Sequence, residues 1–138
     1  MIVKKILDQS IEVLLNSQII LYPTDTVWGI GCDATSIDAV AKIFKLKNRV
    51  ESKSLVVLVS SIEMLHTYVD AVPQKAIDII STTKKPTTII YSNPKGLAAN
   101  VIASDNTIAI RIPSHDFCLD IINKFGKPII STSANISG

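Results

Sequence analysis

The chain has 138 residues, a formal net charge of +2 at pH 7 and a hydrophobic fraction of 47%. A chain of this length fits one domain with one core, and its composition excludes a disordered protein. Apolar runs all fall short of the roughly 20 residues that a membrane helix needs. Polar residues interrupt the N-terminal stretch early, so we expect no secretory signal and a cytoplasmic protein.

The sequence offers few residues for metal binding or nucleophilic catalysis. Cys32 and Cys118 lie far apart without Cys-x-x-Cys or histidine-rich spacing, which predicts reduced thiols rather than a disulfide or a zinc site. His66 and His115 are the only histidines, and both are expected in or beside helices. A Gly-x-Ser-x-Gly elbow is absent, which argues against a serine hydrolase. We therefore expect no metal-binding residues.

In the first half of the chain, apolar spacing predicts two helices and two strands. Thr35 or Ser36 is suited to cap the second helix. The buried strand after it is followed by Ser60 and Glu63, whose capping-box spacing predicts a short third helix. The predicted elements are a helix over 3–15, a strand over 19–22, a helix that begins near 37 and ends within 45–53, where a loop follows, and a strand over 55–59.

In the second half, Pro73 is expected in the first turn of a helix, and Gly126 is expected to end another. The predicted elements are a helix over 73–81, a strand over 86–91, a loop over 92–105, a strand over 107–113, a helix over 117–125 and a strand over 128–131. Strands interleaved with helices, without repeats or a linker, favour one α/β domain. We predict a mixed sheet.

The segment from Tyr22 to Gly31 is the most distinctive in the chain. Pro23 ends an apolar run, and Thr24, Asp25 and Thr26 follow it. The glycines beyond them allow a sharp bend or a close approach to a ligand. The alternative is an ordinary strand-to-helix turn, in which Asp25 caps the backbone.

Five basic residues and one acidic residue fall within a short span, which suits binding to phosphate groups. They are Lys42, Lys45, Lys47, Arg49 and Lys53, with Glu51 between them. In an extended loop Lys47 and Arg49 would point to the same side and could both reach a polyphosphate. The alternative is a solvated helix end. The usual phosphate-loop signature, Gly-x-x-x-x-Gly-Lys followed by Ser or Thr, is absent.

A second polar cluster lies near the end of the chain. Ser131, Ser133 and Asn135 alternate, and hydroxyl and amide groups just past a strand end can hold ribose, phosphate or a small polar ligand. Turn capping is the alternative role for each of them.

Taken together, several motifs resemble those of the YrdC-like family, the threonylcarbamoyl-AMP synthases. The motifs are Tyr22-Pro23-Thr24-Asp25-Thr26-Val27-Trp28-Gly29-Ile30-Gly31, Lys47-Asn48-Arg49, Pro86-Thr87-Thr88, Ala109-Ile110-Arg111-Ile112-Pro113 and Ser133-Ala134-Asn135-Ile136-Ser137-Gly138. They occur in family order and span nearly the whole chain. The resemblance implies a single α/β domain over 1–138, a twisted mixed sheet flanked by helices around a large basic cavity.

The resemblance also implies an enzyme, a nucleotidyltransferase that makes threonylcarbamoyl-AMP and pyrophosphate from L-threonine, bicarbonate or CO2, and ATP. The product would pass to proteins that modify tRNA to threonylcarbamoyladenosine. Mg2+ would bridge the phosphates, although the sequence offers no dedicated ligand cluster.

Site residues carried over by motif fall into two groups. Thr24, Thr26, Arg111 and Ser131 would hold threonine. Lys47, Arg49, Lys53, Thr107, Ser133 and Asn135 would face the nucleotide, with Lys47 and Arg49 as the catalytic cations that neutralise the phosphates.

The chain departs from the family pattern in three places. Lys53-Ser54-Leu55 replaces Lys-Pro-Leu, and Leu58 stands where several members place a histidine. The family continues beyond the position of Gly138, so we expect a C-terminally truncated domain. The alternatives are a double-stranded RNA-binding or nucleotide-binding module without catalysis, and a related carbamoyl-transfer domain.

Overall fold

A computed structural model describes residues 2–23, 28–47 and 55–133. These residues form five α-helices and six strands, with a 3-10 turn at Ala99–Val101. In chain order the elements are α1 Ile2–Leu15, β1 Ile20–Pro23, β2 Trp28–Asp33, α2 Ile37–Lys47, β3 Val56–Leu58, α3 Ile62–Tyr68, α4 Gln74–Thr82, β4 Ile89–Ser92, β5 Thr107–Arg111, α5 Asp116–Phe125 and β6 Ile129–Ser133. None of the helices in these ranges is long and apolar enough to cross a membrane.

The predicted helices and strands are all present, but one strand was not predicted. Residues 28–33 form β2, which pairs antiparallel with β1 so that Tyr22 lies opposite Gly29 and Ile20 opposite Gly31. The interpretation of Gly29 and Gly31 as a bend is therefore wrong, since both lie inside an extended strand.

Side-chain caps define where two of the helices begin. The hydroxyl of Ser36 accepts a hydrogen bond from the amide of Ala39 at 3.1 Å, as expected for the start of α2. The short helix α3 is capped by Ser61, whose side chain accepts from the amide of Met64 at 3.1 Å. The predicted capping box from Ser60 is thus wrong by one residue.

The strands form one sheet in the order β1-β2-β6-β3-β5-β4. The sheet is mixed, as predicted. Strands β3 and β5 are parallel, and every other neighbouring pair is antiparallel. The last strand in chain order, β6, lies in the middle of the sheet between β2 and β3.

Helices α1 and α5 cover one side of the sheet, which we call the first face. Its core contains Leu14 from α1 and Ile121 from α5, packed against sheet residues that include Tyr22, Leu58 and Ile129. An ion pair of 2.6 Å between Asp8 and Lys124 also joins the two helices. Because both side chains are about half exposed, solvent screens this pair and its contribution to stability is small.

Helices α2, α3 and α4 cover the opposite, second face. Val40, Leu65 and Ala76, one from each helix, share a core with Ile110 and Ile130 from the sheet. Cys32 and Cys118 are both buried, and neither forms a disulfide. The sheet therefore separates two cores and is buried on both sides at its centre.

Candidate functional site

The side chains of β5 divide sharply between the two faces of the sheet. Ile108 and Ile110 are buried in the core of the second face. Since strand residues alternate, Thr107, Ala109 and Arg111 point to the first face. These three residues are only half-buried, so this part of the first face is not packed like a core.

The sheet register places Ser131 on the same face as Arg111. Arg111 lies level with Leu58 of β3, and Leu58 lies opposite Ile129 of β6. Ser131 follows Ile129 by two residues and therefore shares its face. It lies inside β6, between Gly31 of β2 and Val56 of β3, in agreement with the predicted strand over 128–131. The strand continues to Ser133, which was predicted just past its end.

The part of the first face that helices α1 and α5 cover ends near Ser131. On one side of it lies the core packed under α1 and α5. On the other side Ala109 is half-buried and Ile90 of β4 is 70% exposed. We call the area that bears Arg111, Thr107, Ala109 and Ile90, with Ser131 at its border, the open face.

The guanidinium of Arg111 is incompletely satisfied. Its Nε atom is buried and has no hydrogen-bond partner among the described residues. The backbone carbonyl of Arg111 is used, because it accepts from the amide of Val59 at 3.1 Å. A half-buried guanidinium whose Nε donor lacks a partner is suited to bind a carboxylate or phosphate in a bidentate manner.

Thr107 lies at one end of the open face, and the backbone of Ser133 lies at the same level along the sheet. Counting along the paired strands, Ser131 is two residues from the level of Arg111, and Thr107 and Ser133 are both four residues from it. Four residues of strand span about 13 Å. The hydroxyl of Thr107 donates to Oδ1 of Asp105 at 2.6 Å, so its oxygen keeps free lone pairs for a ligand. Along the strands, Ser131 therefore lies midway between the level of Arg111 and that of Thr107 and Ser133.

Tyr22 connects the edge strand β1 to the open face and was not predicted as a site residue. Its ring lies across Gly31, and its hydroxyl donates to the carbonyl of Ile130 at 3.3 Å. Burial raises the pKa of Tyr22, whereas hydrogen bonding with Ser131 and the positive charge of Arg111 act in the opposite direction. An aromatic residue on a strand followed by alternating glycines was the signal available in the sequence.

Several predicted site residues lie outside the described residues, namely Thr24, Thr26, Arg49, Lys53 and Asn135. The backbones of Lys47 and Ser133 are described as the last residues of α2 and β6. Lys47 therefore ends α2, in agreement with the prediction that the helix ends within residues 45–53, and its contact with a polyphosphate stays a prediction. Lys42, from the same basic span, donates to the carbonyl of Ser17 at 3.0 Å. The large basic cavity stays a prediction.

A separate cavity of about 120 Å³ lies at the rim of the second face. Ile80 and Ile112, which pack against the core of that face, line it together with Lys84 and Lys85. Its position beneath the second face separates it from Arg111, Ser131 and Thr107.

The comparisons with known proteins agree with this fold and with the motif resemblance. The family model Sua5/YciO/YrdC, described as "Telomere recombination", matches residues 12–138. Threonylcarbamoyl-AMP synthase of Hahella chejuensis is 36% identical over 130 residues, which cover 94% of this chain and 71% of that protein. The protein of the same name from an Enterobacter species is 32% identical, over 94% of this chain and 70% of its own length.

A solved structure extends the likeness to a ligand complex. The crystal structure of P. abyssi Sua5 complexed with L-threonine matches with a TM-score of 0.88 and 27% sequence identity. The match covers 96% of this chain but only 39% of that one. Sequence, motif order and fold thus lead to one assignment: the chain belongs to the Sua5/YciO/YrdC family.

Proposed function

We propose that this chain is a threonylcarbamoyl-AMP synthase that uses L-threonine, bicarbonate or CO2, and ATP. The observation that carries the proposal is the open face, where Arg111, Ser131 and Thr107 share one side of the sheet. Family membership and relatives that bear this enzyme name support it. The complex of P. abyssi Sua5 with L-threonine supports threonine as a ligand.

Threonine would lie at the level of Arg111 and Ser131. The guanidinium of Arg111 pairs with the carboxylate of the amino acid, and the Ser131 hydroxyl contacts a second polar group. Thr24 and Thr26 belong to the same proposed subsite. The amine loses a proton and adds to CO2, which forms a carbamate. Hydrogen bonds and charges at fixed positions accelerate the reaction because they hold the reacting groups in the right orientation.

ATP would lie toward the end of the open face that carries Thr107 and Ser133. A carbamate oxygen attacks the α-phosphorus, a new P–O bond forms, and the bond to pyrophosphate breaks. Negative charge accumulates on the leaving group, which is where cations are most effective. Lys47 and Arg49 are the proposed catalytic cations, and Lys53 and Asn135 complete the proposed nucleotide subsite.

Mg2+ is part of the proposal as an ion held by the phosphate oxygens of ATP. Within the described ranges, no group of three or more His, Cys, Asp and Glu side chains lies close enough to hold a metal. The donors within these described ranges fit a substrate-bound ion better than a resident one. A single YrdC-like domain, a cytoplasmic location and transfer of the product to tRNA-modifying proteins belong to the same proposal.

Pyrophosphate release tests the proposal. We expect release that requires ATP, L-threonine and bicarbonate together, and that stops when any one of them is omitted. Release without threonine, or none from a folded sample, contradicts the enzymatic assignment. Salt-sensitive binding of double-stranded RNA, or nucleotide binding without turnover, would instead support the non-catalytic module.

A further inference from the structure

The cavity at the rim of the second face has an apolar interior and a cationic opening. It lies between the last turn of α4, the segment that joins α4 to β4, and the segment that follows β5. Ile80 and Ile112 line it, are half-buried and pack against the core of the second face. Lys84 and Lys85 also line it but are exposed, which places their ammonium groups on the solvent side.

The two lysines at the opening have no acidic partner among the described residues. No ion pair in these ranges involves Lys84 or Lys85, and none of the described residues that line the cavity is acidic. Thr83 lies beside them, and within the same ranges its hydroxyl has no hydrogen-bond partner, so it can donate to a ligand. Two cations and a hydroxyl donor around one opening are suited to an anionic group.

The apolar interior decides which class of anion fits. Inorganic phosphate would lose water against Ile80 and Ile112 without gaining a hydrogen bond from them. A small carboxylate with a short aliphatic chain suits both parts, because its charge stays at the opening while its chain enters. The cavity of about 120 Å³ is close to the roughly 150 Å³ that holds benzene in another protein, so it has room for an acid of about four carbons.

We propose that this cavity binds a short-chain aliphatic carboxylate. The carboxylate lies between Lys84, Lys85 and the hydroxyl of Thr83, and the chain contacts the two isoleucines. The site goes beyond the proposed function and does not depend on it. Arg111 and Ile112 are consecutive residues that point to opposite sides of the sheet, so the ligand lies on the other side of the sheet from the proposed threonine subsite.

The competing explanation is that the two lysines serve the fold alone. They follow the last residue of α4, where the helix dipole favours cations. Their aliphatic stems can also cover the isoleucines. In that case no ligand enters the cavity, and substitution of the lysines changes stability only.

Titration with isobutyrate separates these explanations. The methyl resonances of Ile80 and Ile112, followed by NMR in the whole chain, should shift in a saturable manner. We expect the dissociation constant to rise about 3- to 10-fold in Lys84→Gln and in Lys85→Gln, because each removes one charged contact. Lys75→Gln is the matched control, since Lys75 is an exposed lysine near the start of α4 and outside the cavity. Equal weakening in all three variants overturns the proposal.

A series of acids tests the apolar interior. From acetate to propionate to isobutyrate, affinity should rise about 4-fold for each added carbon that is buried. Inorganic phosphate at the same ionic strength should leave the isoleucine methyl resonances unshifted. Equal affinities across the series, or saturable shifts with phosphate, would mean that the lysines form only a basic surface patch.

Arg111→Met locates the bound acid, because the guanidinium on the open face could also pair with a carboxylate. Isobutyrate affinity, read at the methyl groups of Ile80 and Ile112, should be the same in this variant as in the unchanged chain. Loss of the shifts in Arg111→Met, or no shift in the unchanged protein, overturns the proposal. None of these measurements requires turnover, so failure of the enzymatic proposal does not affect them.

Discussion

At the residue scale, Gly31 shapes the site because it has no side chain and leaves room for the ring of Tyr22. We expect Gly31→Ala to lower the free energy of unfolding by about 1–3 kcal/mol, because the new methyl group would overpack the site. One of its close contacts is a backbone oxygen, the carbonyl of Ile130 at 2.7 Å, which cannot rotate away. Urea unfolding monitored by circular dichroism measures the change.

Gly126→Ala is the control for this substitution. Gly126 ends α5 with a φ of 80°, and an added Cβ there would meet nothing within 4 Å. Its cost, about 1 kcal/mol, would come from backbone conformation alone. Threonine affinity should fall in Gly31→Ala and stay unchanged in Gly126→Ala. A fall in both would show that general loss of stability weakens binding.

Arg111 carries a second prediction at this scale, because its buried Nε atom lacks a partner among the described residues. Burial of an incompletely paired cation opposes folding. We therefore expect Arg111→Met to leave the free energy of unfolding unchanged or higher while abolishing threonine binding. Arg111→Lys should retain the charge but weaken threonine binding about 10-fold, because the bidentate geometry is lost.

Thermal unfolding and calorimetry on the same samples measure both quantities. A large loss of stability in Arg111→Met would mean that the guanidinium is a structural group.

Residue alternation was readable from the sequence, but the pairing of strands was not. The alternation in β5 already indicates that Thr107 and Arg111 share one side of the strand. The alternation in β6 indicates the same for Ser131 and Ser133. What brings these two pairs to one face is the insertion of β6 between β2 and β3. The order of strands in the sheet depends on contacts between residues far apart in the sequence, and the periodicity of one sequence carries no information about those contacts.

At the scale of the element, the start of α3 distinguishes two adjacent serines. Ser61 accepts from the amide of Met64, whereas the sequence prediction assigned the cap to Ser60. We expect Ser61→Ala to lower the free energy of unfolding by about 1 kcal/mol and Ser60→Ala to change it much less. Chemical denaturation of the two variants side by side tests the assignment. The reverse order of effects would restore the predicted capping box.

Strand β2 was the element that the sequence did not predict, and its composition explains why. Trp28-Gly29-Ile30-Gly31-Cys32-Asp33 contains two glycines, which have low strand propensity and usually signal a turn. Pairing on both sides stabilises the strand, because β2 lies between β1 and β6. The same glycines leave room for Tyr22, so the feature that concealed the strand also shapes the site.

For the whole molecule, buried acidic groups predict a loss of stability at high pH. Burial, with a smaller effect of Asp33, raises the pKa of the Cys32 thiol from 9.0 to about 12. At a pH above its ordinary pKa, this thiol is ionised in the unfolded chain but stays protonated in the folded state. The unfolded state then binds fewer protons, so stability falls as pH rises from 9 toward 12, by up to about 1.4 kcal/mol per pH unit.

Cys32→Ala removes the thiol and serves as the reference. Between pH 9 and 10 the urea midpoint of the unchanged protein should fall more steeply than that of the variant. Tyr22, whose pKa is also raised by burial, adds to the decline at higher pH in both proteins. Parallel pH profiles for the two proteins would show that Cys32 does not contribute.

The position of β6 has a consequence for synthesis on the ribosome. The strand that is made last among the described residues is the one that joins the β1–β2 pair to β3, β5 and β4. Until it leaves the exit tunnel, the growing chain holds two incomplete sheets with unpaired strand edges. Such edges pair readily with other chains. The emergence of β6 is thus also the step that pairs these edges and joins the two parts of the sheet.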